Sequence, residues 1–422
     1  MKKQTFTLMS MNKIFIAIVQ FIPTKIRRRI PNSIKLAVNR LQRHESNRRP
    51  ALLTNVWVSE SGSRYATKRA LVSYITHPFR TPVSNNVEIQ FSNSGLARSI
   101  VKVLNESGYV VDLVDWDDES FLPCGQYDLF IGHGGCNYKH IAQNLFQDTS
   151  KIYFATGIYW REFNRREHER FQALYDRKAV SLPYDRWIYY SEEYANQNAD
   201  GIICLGNNNV KDSFSKFSHV LCLNNAAYPD DHFNLTKKDY SAGRNNFLFF
   251  AGAGNVHKGL DLLLEAFSQT TLHLWICQDI RADFFEAYHR ELLDYPNIHQ
   301  VGTVGMRSTQ FYDLVNECNF VILPSCAEGQ PGSVIECMHQ GLIPIVSRES
   351  NIDTGDFGIT LNTCTIAEIL QTIKAVSTYN SITCESMSMR TRQIAQNEYS
   401  AESFLRNFSN ALQDIISSTK YS

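Results

Sequence analysis

The 422-residue sequence carries no net charge, with 42 Lys and Arg set against 42 Asp and Glu. It holds no C-x-x-C, and none of its ten cysteines stands with histidines at zinc-ligand spacing. A structural zinc module is excluded on that ground. No internal repeat of fixed period and no low-complexity tract is present. The apolar run Ile14–Pro23 is half the length a membrane-spanning helix requires, and Lys13 interrupts it upstream. No small-residue cleavage site follows it, so a secretory leader is not expected.

What is present reads as a globular chain. Hydrophobic residues make up 43% and charged residues 20%, which suits neither disorder nor a fibre. The length fits two or three domains with ample core. Cys204 and Cys277 fall in apolar, strand-like runs and read as buried free thiols, which implies a reducing compartment. The zero net charge conceals an asymmetry. Residues 1–50 hold twelve Lys and Arg and one acid, Glu45, about +11, so residues 51–422 carry about −11. A short apolar segment beside Arg27, Arg28 and Arg29 suits an anionic membrane surface. The alternative is an extension that docks on the body. The basic excess is confined to this arm and lacks interleaved aromatic pairs, so nucleic acid is not the expected partner.

Beyond the arm the pattern alternates. Short Val- and Ile-rich runs at Arg69, Tyr127, Lys151, Ala199 and His219 are separated by helical stretches, beginning with a β–α–β unit from Gly95. A polar segment around 228–245 follows, and then a second alternating series opens with "NFLFFAGAG". The reading is α/β, with two doubly wound domains facing a cleft. The expected boundaries are a basic arm over 1–60, an acceptor-side domain over 61–235 and a donor domain over 236–392. A C-terminal helix over 393–422 is expected to return to the first domain.

Several stretches carry candidate chemistry. "EGQPGSVIE", Glu328 to Glu336, lies between an apolar strand and a short helix starting at Pro331-Gly332-Ser333. A helix start at the carboxyl end of a strand offers free N–H groups to a phosphate, with Glu328 beside it and Glu336 one turn further on. The structural alternative is a capping box between Ser333 and Glu336. "GAGNVHKG", Gly252 to Gly259, is neither a dinucleotide fingerprint nor a P-loop. Its glycines permit close approach to a ligand, and Lys258 is a compact cation for a diphosphate. "GHGG" puts His133 at a strand end facing the expected cleft, where it could bind hydroxyls or move a proton. Tyr159 and Trp160 on the same rim could stack on a sugar or pack in the core. "DWDD", Asp115 to Asp118, contains D-x-D, but acids also simply end strands, and no metal or other cofactor is expected.

These residues together resemble the donor half of retaining glycosyltransferases of family four, which have the GT-B fold. The likeness covers about 245–350, through "FFAGAGNVHKGLDLLLEAF" and the block containing Glu328 and Glu336. It implies a UDP- or GDP-sugar donor and a glycan or lipid-linked acceptor. It implies work at the cytoplasmic membrane face, in surface polysaccharide or glycoconjugate synthesis. It places Glu328 at the donor sugar, Glu336 at the ribose, and Lys258, Gly252, Gly254, Gly332 and Ser333 about the diphosphate. Gly95 would approach the phosphate from the other domain. One departure stands out: Ala253 occupies a position where the family carries arginine. His257 and Arg307 are the basic side chains that could replace it. Two other readings share the fold: a nucleotide-sugar epimerase, and a binding protein without turnover.

Overall fold

The structure is a computed structural model that describes residues 52–59, 66–80, 92–228 and 238–419. The basic and apolar segments of residues 1–50 lie outside the described residues.

Two sheets built mainly of parallel strand pairs organise the chain. The first contains β1 (Leu52–Val56), β2 (Lys68–Tyr74), β3 (Tyr109–Asp115), β4 (Leu129–Gly132), β5 (Ser150–Ala155), β6 (Gly201–Leu205) and β7 (Val220–Leu223). Its order is β1-β3-β2-β4-β5-β6-β7. The second contains β8 (Asn246–Phe250), β9 (His273–Cys277), β10 (Ile298–Gln300), β11 (Phe320–Leu323), β12 (Ile343–Ser347) and β13 (Ile359–Leu361). Its order is β10-β9-β8-β11-β12-β13, with every strand pair parallel. Both are α/β sheets of the Rossmann-like kind, and the second has the 3-2-1-4-5-6 strand order. Strands covered by helices on both faces must be apolar throughout, and β11 and β12 are buried at every residue.

That order decides where a ligand can sit. The strand sequence reverses between β8 and β11, which pair through Phe320–Phe247 and Val321–Leu248. The loops leaving their carboxyl ends diverge to opposite faces and leave a crevice between them. One loop is Ala251–Gly259 and the other Pro324–Pro331.

The chain crosses between the two sheets twice, side by side. The Ala227 N–H donates to the Tyr399 carbonyl at 2.9 Å, and the Ala401 N–H donates to the Ala227 carbonyl at 3.1 Å. The helix Ser381–Glu398 packs beside the helix Gly332–His339 of the second half. The next helix, Ala401–Thr419, returns to the first sheet. Phe408 meets Phe154 edge to face, and Ile415 packs where Gly201 has no side chain. Phe404, Phe408, Leu412 and Ile415 are each about 1% exposed or less. Burying each contributes roughly 1.5–3 kcal/mol, enough to hold this helix on the distant sheet.

Cys204 departs from its sequence reading. It forms a disulfide with Cys222, so it is not a free thiol. The two are register partners on β6 and β7, with Cα atoms 4.8 Å apart. Eighteen residues of sequence separate them, and only the strand pairing brings them together. Cys277 is buried and free. Among the described residues no helix is long and apolar enough to cross a membrane.

Candidate active site

A cavity of about 680 Å³ opens at the β8–β11 crevice, walled by loops of both halves. The second half contributes Gly252 to Asn255, Lys258, Glu328 and Gln330 to Ser333. The first contributes Asn93, Thr156, Asp185, Arg186, Leu205, Asn225 and Ala226.

The glycine loop is held by side-chain amides. Gln278 Nε2 donates to the Gly252 carbonyl at 2.5 Å, and Asn255 Nδ2 donates to Gln278 Oε1 at 2.6 Å. The loop closes at Gly259, whose φ of 82° lies in the left-handed region. A Cβ there would stand 2.4 Å from the Pro324 carbonyl, so the two loops touch only because residue 259 is glycine. That contact sets Lys258 beside Glu328. The Lys258 ammonium pairs with Glu328 Oε1, which also accepts from the Ser325 hydroxyl at 2.6 Å. Burial pushes the Glu328 carboxyl up. The charges of Lys258 and His257 outweigh it and hold the group below the ordinary glutamate range. Glu328 is therefore a carboxylate at neutral pH.

Gly329 shows how the halves meet at this point. A Cβ on it would stand 2.4 Å from the Thr156 carbonyl and 2.9 Å from that of Leu205. The Glu328 loop thus lies on the carboxyl ends of β5 and β6. Gln330 completes the junction. Its Oε1 accepts from the Asn225 N–H at 2.7 Å, its carbonyl from Asn225 Nδ2 at 3.0 Å, and its Nε2 donates to Asn224 Oδ1 at 2.9 Å.

The helix Gly332–His339 starts at the cavity with Pro331 as its N-cap. The N–H groups of Gly332 and Ser333 make no hydrogen bond among the described residues. They are the donors an anion could take. The capping box is not formed: Ser333 lies inside the first turn and no side chain caps it. Glu336 faces Arg307 instead, with Nη2 at 3.0 Å from Oε2. Arg307 Nη2 also donates to the Tyr228 carbonyl at 2.6 Å.

Other sequence candidates lie elsewhere. His133 sits behind Thr156 and not on the cavity wall; its Nε2 is 3.1 Å from Thr156 Oγ1. It packs between Tyr74 and Trp116, and burial lowers its pKa to about 4, so it is neutral. Gly95 is covered by the Tyr228 ring, and Asn93 two residues earlier reaches the wall. Tyr159 donates to Glu193 Oε2 at 2.7 Å and packs on Phe214 and Phe217, away from the cavity. His257 is buried, with Nε2 at 2.7 Å from the Ala327 carbonyl. Asp115 Oδ2 accepts from the Thr76 hydroxyl at 2.6 Å. Among the described residues no group of three or more His, Cys, Asp or Glu is placed to hold a metal ion.

Sequence reasoning missed Asp185, Arg186, Asn225 and Gln330. Gln330 lies inside the quoted Glu328–Glu336 stretch, where a polar side chain among Gly and Pro was the available signal. The other three stand in loops with no motif.

Residues 244–378, about a third of the chain, match the family described as glycosyl transferases group 1. No curated protein matches the chain. Among solved structures, sucrose-phosphate synthase from Thermosynechococcus elongatus is 14% identical with a TM-score of 0.54, over 83% of this chain and 99% of that one. HepE from Anabaena, in complex with UDP and glucose, is 13% identical with a TM-score of 0.51, over 82% and 100%. TarM is 15% identical with a TM-score of 0.48, and this chain spans about half its length, 54%. The fold is that of the two structures with the higher TM-scores. The family match over the second half, on that fold, supports a glycosyltransferase.

Proposed function

We propose that the protein is a retaining glycosyltransferase of the family-four kind, moving a sugar from a nucleoside-diphosphate donor to an acceptor hydroxyl. One observation carries the reading. Lys258, the carboxylate of Glu328 and the unsatisfied N–H groups of Gly332 and Ser333 converge on one cavity between two Rossmann-like sheets. A diphosphate at that helix start would gain from the N–H groups as its charge develops on leaving. The bond from the anomeric carbon to the diphosphate oxygen breaks. A bond to the acceptor oxygen forms on the same face, and the acceptor proton leaves with the diphosphate.

Glu328 lies where it can face the sugar. Glu336, already 3.0 Å from Arg307, would accept from ribose hydroxyls only by sharing that cation or exchanging it. His133, neutral behind Thr156, would act through the Thr156 hydroxyl and not by direct proton transfer. The role in surface glycan synthesis and the attachment of residues 1–50 to an anionic membrane complete the proposal. Deleting residues 1–50 should release the protein from anionic vesicles while sparing transfer to a soluble acceptor; unchanged vesicle binding would remove the arm from it.

The test is incubation with a panel of UDP- and GDP-hexoses and an acceptor glycan, with product anomers read by NMR. Transfer with retained configuration supports the proposal. Isomerised donor without transfer makes it an epimerase. Binding without turnover makes it a binding protein, and absence of binding removes the donor site.

A further inference from the structure

We infer that Arg186, from the first half of the chain, is the cation that receives the donor diphosphate. The inference rests on the nucleotide-sugar reading above. The cavity's other charges are mostly spoken for. Lys258 pairs with Glu328, Arg281 with Asp185 and Asp283, and Glu336 with Arg307. The Arg186 side chain lines the same cavity, is exposed, and makes no hydrogen bond or ion pair among the described residues. The remaining lining carboxylate, Asp279, is exposed on the loop after β9. A diphosphate that used Lys258 or Arg281 as its principal partner would have to displace a carboxylate already bound there. At Arg186 it displaces only water.

The backbone at Arg186 is fixed although its guanidinium is not engaged. Its N–H donates to Glu167 Oε1 at 2.6 Å, and the Asp185 N–H donates to the same oxygen at 3.0 Å. Glu167 is fully buried. Asp185 Oδ2 accepts from the N–H groups of Val256 and His257, at 2.8 and 2.9 Å, and its Oδ1 meets Arg281. Residues 185–186 are therefore clasped to the glycine loop of the second half. The Arg186 stem crosses that loop: a Cβ on Gly254 would lie 3.2 Å from Arg186 Cγ. Ala253, the residue before Gly254 in that loop, is exposed and lines the same cavity as Arg186. A planar guanidinium held at its root and open at its tip can bind phosphate oxygens in pairs.

The test uses the full chain, with UDP binding read by calorimetry and uridine binding by NMR titration. Arg186→Ala should weaken UDP about tenfold and leave uridine within twofold, because only the diphosphate is addressed. Arg186→Lys should lie between, keeping the charge and losing the fork. Adding Ala253→Arg to Arg186→Ala should recover most of the loss, since both positions border the same space. Thermal unfolding of each variant should match the parent, as the side chain is exposed. Unchanged UDP binding in Arg186→Ala, equal losses for UDP and uridine, or no recovery with Ala253→Arg would each overturn the inference. If the parent chain binds neither UDP nor GDP, the donor reading itself has failed and this inference falls with it.

Discussion

The two halves build the cavity in different ways. The second half supplies it from two loops, each leaving one of a neighbouring strand pair at a switch point. Its charges arrive paired: Lys258 on Glu328, Glu336 against Arg307. The first half supplies its wall from scattered segments, near residues 93, 156, 185, 205 and 225. Those segments contribute backbone carbonyls, amides, the Asp185 carboxylate that pairs with Arg281, and one uncommitted guanidinium. A site built from two contiguous loops leaves a compact signature in sequence. A site built from many short pieces leaves almost none. The difference separates the half that would conduct chemistry from the half that orders and closes it.

The largest effect that would break this division is at Glu328. Glu328→Gln keeps the shape and removes the charge. Turnover should fall by about 10² or more, with UDP affinity within a few-fold of the parent. Near-parental kcat would deprive the second half of its chemical role. The clasp is the next place to probe. Asn225→Ala removes the bond from Asn225 Nδ2 to the Gln330 carbonyl that joins the halves, and leaves the backbone N–H bond to Gln330 Oε1 in place. The buried Gln330 carbonyl and the Ala226 N–H lose their partner, so the expected loss is about 1–3 kcal/mol. The same cost from Gln330→Ala, without additivity in the double variant, would show that one clasp was measured. Full additivity in denaturant unfolding would mean the two act separately.

A smaller effect lies at His257, which stacks on Phe163 and faces Glu167 from the first half. Burial alone would lower its pKa. Cys326 and Glu167 at the ring outweigh burial and raise it to about 9. The folded value stands above the ordinary 6.5, so the imidazolium contributes in full below about pH 6.5. That contribution is lost as pH rises towards 9. The stability difference between parent and His257→Gln should therefore shrink from pH 6 to pH 9. A difference constant with pH would deny the charged contact. The smallest expected effect is from a chelator. With Asp115 committed to Thr76, EDTA should leave transfer unchanged. Loss restored by a divalent ion would move the chemistry to the first half.

Much of the fold was legible because periodicity reports burial. The strand runs inside "FVILPS" and "LIPIVS" are apolar because both faces of β11 and β12 are covered. Glu328, Lys258, Gly332 and Ser333 were legible as a group because the loops that carry them are short and bounded by strands. His133 follows β4 as its position in sequence predicts, yet it lies behind Thr156 and off the cavity wall, because neighbours distant in sequence enclose it. Thr156, Tyr74 and Trp116 enclose it. The Cys204–Cys222 bond was invisible for a related reason, since strand register and not spacing brings the pair together.

The sequence by itself determined what is local. It specified two alternating series of strands and helices, the polar connection between them, and the order of Lys258, Glu328 and the helix start. Those follow from hydrophobic period and from the backbone freedom of glycine at a loop. Tertiary structure alone decided which carboxylate meets which cation. It paired Glu336 with Arg307 and not with Ser333, buried His257 against Glu167, and laid Arg186 over a loop more than sixty residues away. Such pairings depend on where separate segments are brought to within a few ångströms. That follows from the docking of two sheets, which residue spacing along one chain does not encode.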